Sequence, residues 1–240
     1  MAKQQIIFRD LGLTDYQTAW NYQEKLLQEN VRKKSLVFNQ EPREEANTLN
    51  YLLFTEHSPV YTLGKSGNKE NVLLPEEELK KKGIDFFHTN RGGDITFHGP
   101  GQVVGYPILD LEKFYTDIGK YLRNLEEVII LMLAEYGING DRSPGETGVW
   151  IDPDVPGKAR KICAIGIRCS RWITMHGFAF NVNTDLSYFN YIIPCGISNK
   201  QVTSLQKELG QKINMQEVKE KIKINFGKVF ESELVSEILL

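Results

Sequence analysis

Three features of the chain predict an α+β (mixed α/β) fold, with helices packed around one mixed β-sheet. Strand-like and helix-like runs follow one another in irregular order, and no segment repeats. Of the 240 residues, 41% are hydrophobic, which is enough apolar material for a large core. No linker-like stretch divides the chain, so we expect one domain over residues 1–240.

Apolar residues at helical spacing, together with residues typical of helix ends, predict the helices. Thr14 is expected to cap the first helix, and Gly137 follows the longest one, as glycine commonly does at helix C-termini. The predicted helices cover residues 15–34, 75–82, 120–136, 201–209 and 214–230.

Extended runs between turn residues predict the strands. They cover residues 4–9, 51–56, 60–63, 86–87, 148–151, 161–169 and 173–182, with two strand-like runs around 91–105. The stretch 39–48 is polar and contains a proline, so we expect an exposed loop there.

The bulk composition argues against several classes of protein. A net charge of −2 does not suggest a nucleic-acid binder, and no apolar run approaches the roughly 20 residues that span a bilayer. Three cysteines, with none in a CxxC pair, make a disulfide framework improbable and favour the cytoplasm. The four histidines lack the short spacings of zinc sites, so we expect no catalytic metal. We expect no cofactor either.

The segment 91–105 has five glycines in fifteen residues. If residues 94–98 are extended, Asp94, Thr96 and His98 lie on one face, and Ile95 and Phe97 lie on the other. Glycines on both sides would allow a close approach of the backbone to a ligand. A glycine-rich hairpin without a ligand is the alternative. The presence of arginine, threonine and histidine favours a binding site.

No nucleotide-binding motif accompanies these glycines. Their spacing does not match G-x-G-x-x-G, and a second candidate, Gly64-Lys65-Ser66, has Pro59 where a phosphate-binding loop needs glycine. The sequence therefore offers no phosphate loop for ATP.

Lys161 opens an apolar run that we interpret as a strand over 161–169. Alternation would place Lys161, Cys163 and Cys169 on one face, and both cysteines are interpreted as core residues. Two interpretations of Lys161 remain: it has a function in a site, or its ammonium group simply extends into solvent at the end of an apolar strand. Gly166 within the strand indicates that something packs closely there, with an acyl chain as one candidate.

Cys195 lies between Pro194 and Gly196, which predicts a turn rather than a strand. A cysteine on a turn is more exposed than one within a strand, and nearby backbone N–H groups can stabilise an oxyanion. Cys195 is therefore the best nucleophile candidate of the three cysteines, and an incidental loop thiol is the alternative.

Together these segments resemble the lipoyl(octanoyl) transferase family. The longest match runs from Arg91 to Gln102 (RGGDITFHGPGQ) and continues as Gly105-Tyr106-Pro107-Ile108. Shorter matches occur in the same order as in the family, over about residues 56–205: EHSPVYTLG at 56–64, GVWI at 148–151, RKI and AIG at 160–166, HGFA at 176–179, PCGI at 194–197 and VTSL at 202–205.

The resemblance implies a fold similar to the catalytic domain of biotin and lipoate protein ligases. It implies that Cys195 carries the acyl group as a thioester and that Lys161 is its acid and base. The implied acyl-substrate contacts are Arg91, Gly92, Gly93, Asp94, Ile95, Thr96, Phe97, His98, Ala164, Ile165, Gly166, Gly177, Phe178 and Ala179. Cys163 departs from the small residue, such as alanine, expected at its position.

The implied activity is transfer of an octanoyl group in lipoate biosynthesis. The donor would be octanoyl-acyl carrier protein. The acceptors would be lipoyl domains of the E2 subunits of 2-oxoacid dehydrogenases and the H protein of glycine cleavage. Three alternatives remain: an ATP-dependent lipoate or biotin ligase, a cysteine hydrolase that pairs Cys195 with His98 or His176, and a carrier-protein binding module without catalysis.

Overall fold

The computed structural model describes residues 3–38, 46–193 and 201–236. It contains two sheets, not the one expected. The strands are β1 (Gln4–Leu13), β2 (Asn50–Glu56), β3 (Val60–Leu63), β4 (Asp85–His88), β5 (Ile95–His98), β6 (Gln102–Ile108), β7 (Gly140–Asp141), β8 (Val149–Ile151), β9 (Arg160–Ser170), β10 (Ile173–Asn181), β11 (Gln201–Val202) and β12 (Ser232–Val235). The helices are α1 (Tyr16–Val37), α2 (Glu76–Lys81), α3 (Ile118–Ala134), α4 (Leu205–Leu209) and α5 (Met215–Val229).

The larger sheet is mixed and has the strand order β12-β1-β2-β6-β10-β9-β8-β7, with β11 added beside β9. Helix α1 covers one face through Ala19, Leu26 and Leu27. Helices α3 and α5 cover the other face, where the largest apolar cluster lies. The predicted fold class, a mixed sheet flanked by helices, is confirmed.

The smaller sheet has the order β4-β3-β5 and its own apolar cluster, which includes Tyr61 and Phe97. Strands β5 and β6 therefore belong to different sheets, and the alternative of a glycine hairpin is wrong. Gly101 makes the connection possible, since its φ is +77° and a Cβ there would lie 2.7 Å from the Asn183 carbonyl oxygen. The chain passes between the sheets at this point.

Two local predictions fail at helix ends. Asp15, not Thr14, caps α1, because its carboxylate accepts a hydrogen bond from the Thr18 N–H at 2.9 Å. The Thr14 hydroxyl instead donates to the Leu11 carbonyl. Residues 201–202 form strand β11 rather than the start of a helix, and Ser204 caps α4.

Candidate active site

A cavity of about 500 Å³ lies between the two sheets. A volume of this size is ordinary for a small-molecule site. Its wall contains Lys161 and nearly all of the implied acyl contacts: Arg91, Gly92, Gly93, Asp94, Ile95, Thr96, His98, Ala164, Ile165, Gly166, Gly177, Phe178 and Ala179. The fold thus brings the three separate motifs around residues 91–98, 161–166 and 177–179 to one place.

Phe97 is the exception among the implied contacts. Its ring packs among the aromatic residues of the smaller sheet, stacked on Tyr188 at a centroid distance of 4.6 Å and beside Tyr61. Within β5, Thr96 and His98 lie on the face toward the cavity and Phe97 lies on the other face. Ile95 shares the face of Phe97, but it is the first residue of the strand and still reaches the cavity wall.

Arg91 holds the loop that forms one side of the cavity. Its buried guanidinium donates to the Thr62 carbonyl at 2.6 Å, the Thr62 hydroxyl at 3.0 Å, the Asp94 carbonyl at 2.8 Å and the Gly92 carbonyl at 3.0 Å. Four contacts on a planar, permanently charged group fix residues 91–94 against β3.

Gly166 is in close contact with another segment, as expected, but that segment is the protein's own backbone. A Cβ at Gly166 would lie 2.9 Å from the Gly92 carbonyl oxygen and 3.3 Å from Arg91 Cδ. The Gly92 N–H also donates to the Ile167 carbonyl at 2.8 Å. The glycines therefore let the 91–93 loop lie directly on β9.

Lys161 is 9% exposed, so its side chain does not extend into solvent. Its Nζ lies 4.6 Å from the centre of the Trp150 ring and 4.0 Å from Glu146 Oε2. An ammonium group held by a carboxylate and an aromatic face in a cavity wall is oriented and only partly hydrated. Such a group can interact strongly with a charge that develops in the cavity.

The loop 143–148 brings Glu146 to the cavity. Fully buried Glu126 of α3 anchors the end of this loop by accepting from the Gly148 N–H at 3.0 Å, and it also pairs with Arg123 and Arg142. The Glu146 N–H donates to the Ser143 carbonyl at 3.0 Å. Sequence reasoning missed Glu146. Its position just before the quoted Gly148-Val149-Trp150 motif was the only available signal.

The structure describes two of the three cysteines, Cys163 and Cys169. Cys195 lies outside the described residues, so its role remains a prediction. Cys163 is fully buried in the core, as expected, and burial raises its thiol pKa above the ordinary value. Cys169 is exposed, so its assignment to the core is wrong. It is the second-last residue of β9, close to the turn into β10.

A break in regular pairing separates Cys163 from the cavity. Trp150 pairs with Lys161, but Val149 pairs with Cys163, so the register shifts between these two positions. A bulge of this kind interrupts strand alternation. Lys161 consequently lines the cavity, whereas Cys163 lies in the core beside Ile162.

Three buried histidines lie in or beside the cavity: His98 and His176 line it, and the ring of His57 is 5.8 Å from that of His98. His98 donates from Nδ1 to Gln102 Oε1 at 2.9 Å, and His176 donates from Nε2 to Asn90 Oδ1 at 2.7 Å. His57 donates to the Thr14 carbonyl and accepts from the Tyr106 hydroxyl, both at 2.7 Å. These partners are consistent with neutral imidazole rings.

Burial lowers the pKa of His57 to about 4 and that of His176 to about 3. It also lowers the pKa of His98 well below the ordinary value. His176 has in addition a φ of +59° within β10, a conformation that costs a non-glycine residue about 1–3 kcal/mol. Strain of this kind is concentrated at functional sites.

These histidines predict a loss of stability in mild acid. Because the unfolded chain takes up protons near pH 6.5 and the folded protein does not, the free energy of unfolding should fall as the pH drops from 6.5 toward 4. For His57 alone the lowered pKa corresponds to roughly 3 kcal/mol. Denaturant unfolding at several pH values measures this slope.

The matched control uses the exposed histidine, His88. His57→Gln should flatten the dependence of the unfolding free energy on pH, and His88→Gln should leave it unchanged. An equal slope in wild type and His57→Gln would contradict the prediction.

The model of one protein family, described as the lipoyl protein ligase A/B catalytic domain, matches residues 15–227. The chain belongs to the lipoyl protein ligase A/B catalytic domain family. It is 60% identical to an octanoyltransferase of Christiangramia forsetii over 227 residues, 94% of this chain and 96% of that protein. It is 59% identical to an octanoyltransferase of Flavobacterium psychrophilum, over 96% of this chain and 98% of the relative. The suspected family is confirmed, and the chain is an acyltransferase.

Solved structures of lipoate protein ligases have the same fold as this chain. An archaeal bi-partite lipoate protein ligase from Thermoplasma acidophilum superposes with a TM-score of 0.69 at 16% identity, over 99% of this chain and 88% of that one. A lipoate-protein ligase A bound with ATP gives 0.68 at 15% identity, over 100% and 90% of the two chains. At such low identity the likeness concerns the fold alone.

Within the part of the chain described here, no helix has the length and apolar character needed to cross a membrane. The same residues contain no cluster of three or more His, Cys, Asp or Glu side chains arranged to hold a metal ion.

Proposed function

We propose that this protein transfers an octanoyl group from octanoyl-acyl carrier protein, through a Cys195 thioester, to a lysine of a lipoyl domain. The observation that carries the proposal is the position of Lys161 in the wall of a cavity that gathers the family's acyl-contact motifs. The octanoyltransferases to which the chain is about 60% identical support the choice of acyl group.

Residues that flank Cys195 along the chain support its pairing with Lys161. Phe189 before the 194–200 segment and Val202 after it both line the cavity. Val202 pairs with Lys161 itself, and the Thr203 N–H donates to the Lys161 carbonyl at 2.9 Å. The chain therefore leaves the segment that contains Cys195 beside this lysine.

The first step forms the acyl-enzyme. A free thiol has a pKa of about 8.5, and a nearby ammonium favours the thiolate. The Cys195 thiolate attacks the carbonyl carbon of the carrier thioester, and backbone N–H groups stabilise the oxyanion. The carrier C–S bond then breaks, and Lys161 gives its proton to the departing thiolate. The octanoyl chain lies along apolar residues of the cavity wall such as Ile165 and Phe178.

The second step transfers the acyl group to nitrogen. Lys161, now neutral, takes a proton from the acceptor lysine. The free amine attacks the acyl carbon, the bond to Cys195 breaks, and the nitrogen releases its second proton toward solvent. The product is the amide, with the Cys195 thiolate restored beside the Lys161 ammonium. Exchange of one thioester for another is nearly balanced in energy, and formation of the amide is favourable, so the reaction needs no ATP.

The hydrolase alternative requires His98 or His176 as the base for Cys195. The pKa of His176 is about 3 and that of His98 is well below its ordinary value, because both are buried. Bases this weak are poor proton acceptors for a thiol. This argues for the lysine as the proton-transfer group.

The deciding experiment measures the intact mass of the protein after incubation with octanoyl-carrier protein in the absence of ATP. We expect one octanoyl adduct, which disappears when an E2 lipoyl domain or the glycine cleavage H protein is added and reappears on that acceptor. Transfer that requires free octanoate and ATP would indicate a ligase, and release of free acid a hydrolase. We also propose the cytoplasm as the compartment of this reaction, because the cysteine pattern favours a reducing environment.

A further inference from the structure

A proton count shows that the proposed transfer releases a second proton that Lys161 does not take. The overall reaction converts a thioester and an alkylammonium into a thiol, an amide and one free proton. The acceptor nitrogen starts with three protons and ends with one. Lys161 takes only one of the two that leave, since it has just one proton to recover after the first step. The second proton goes to solvent, and a basic group near Lys161 would speed its departure.

Two carboxylates line the cavity among the described residues, Asp94 and Glu146. The oxygens of Asp94 accept from the Asn71 side chain at 2.6 Å and from the Ile95 N–H at 2.7 Å, so this group is engaged in fixing the loop. Glu146 lies 4.0 Å from Lys161 Nζ, and its side chain is 20% exposed. It faces both the proton-transfer lysine and solvent.

The geometry points to Glu146 as a further catalytic residue, one that binds the acceptor ammonium and takes its second proton. The inference rests on the proposed function. The lipoyl-domain lysine gives its first proton to neutral Lys161, and its nitrogen then bonds to the acyl carbon. As the C–S bond to Cys195 breaks, the nitrogen gives its second proton to the Glu146 carboxylate, which passes it to water.

The charge of the site explains why Glu146 would act mainly in this half-reaction. While Lys161 is an ammonium, it attracts the Glu146 carboxylate at 4.0 Å. Acylation neutralises Lys161, and this attraction falls. The carboxylate then attracts the incoming cation as it enters the partly desolvated cavity.

The test follows the two half-reactions of the full chain separately in single-turnover experiments. For Glu146→Gln we expect acylation by octanoyl-carrier protein within about threefold of wild type, and transfer to the lipoyl-domain lysine slowed by about 10²-fold. The acyl-enzyme should therefore accumulate. Its cleavage by hydroxylamine, an uncharged nucleophile at neutral pH, should proceed at the wild-type rate.

Two controls make the result specific. Glu127→Gln removes the same charge from a carboxylate that pairs with Arg142 outside the cavity, and it should leave both half-reactions unchanged. Lys161→Arg keeps a cation but cannot serve as a base, so it should slow both half-reactions.

Transfer at the wild-type rate by Glu146→Gln would overturn the inference, as would an equal loss in both half-reactions, which would mean that Glu146 only positions Lys161. Absence of any acyl-enzyme in wild type would instead refute the proposed function itself.

Discussion

Replacement of Cys195 by serine should abolish the acyl-enzyme and lower the rate of octanoyl transfer by more than about 10³-fold. A serine hydroxyl is not ionised near neutral pH, and a single ammonium such as that of Lys161 does not make it so. The nucleophile of the first step would therefore be lost while the cavity is retained. Intact-mass measurement and acceptor acylation are the two readouts.

The matched variant is Cys169→Ser, which alters an exposed thiol and should preserve adduct and turnover. Cys163 is a second comparison, because its buried thiol is expected to resist alkylating reagents in the folded protein. Full adduct formation by Cys195→Ser would remove this residue from the mechanism and require another acyl carrier.

Replacement of Arg91 by methionine should lower the free energy of unfolding by about 3–5 kcal/mol. The buried guanidinium donates to oxygens of Thr62, Asp94 and Gly92. Methionine of similar length leaves these acceptors without their donor in a place that water reaches poorly. Loosening of the 91–94 loop should also raise the KM for the acyl donor. Urea unfolding and steady-state kinetics measure the two effects.

Arg171 provides the control for this substitution. It is an exposed arginine at a hairpin turn whose guanidinium contacts the Ser35 hydroxyl. Arg171→Met should change the unfolding free energy by no more than about 0.5 kcal/mol. If Arg91→Met were equally mild, the contacts described for Arg91 would not contribute to stability as argued.

The regular elements were the easiest features to predict. Helix α3 and strand β10 have strong apolar patterns over many residues, and both were predicted within a few positions of their observed ends. Strand β12 was not predicted, because its four residues (Ser232–Val235) form a strand by pairing with β1 at the edge of the sheet. Short edge strands carry little local signal.

The chemistry of individual residues was harder to infer from the sequence. The motifs indicated Arg91 and Gly166 as ligand contacts, and the structure places both in the cavity wall. It also shows that the 91–93 backbone itself lies against Gly166. Glu146 had no motif to mark it, since its importance comes from a distance of 4.0 Å to a lysine fifteen positions further along the chain.

The sequence by itself determined the family, the order of most strands and helices, and the pair of residues proposed for catalysis, because each depends on local pattern or on motifs that are contiguous in the chain. Only the tertiary structure decided that there are two sheets, that a cavity lies between them, and which side chains meet there. Contacts between residues far apart in sequence depend on strand order, register and bulges. These follow from the packing of the whole core rather than from any one segment.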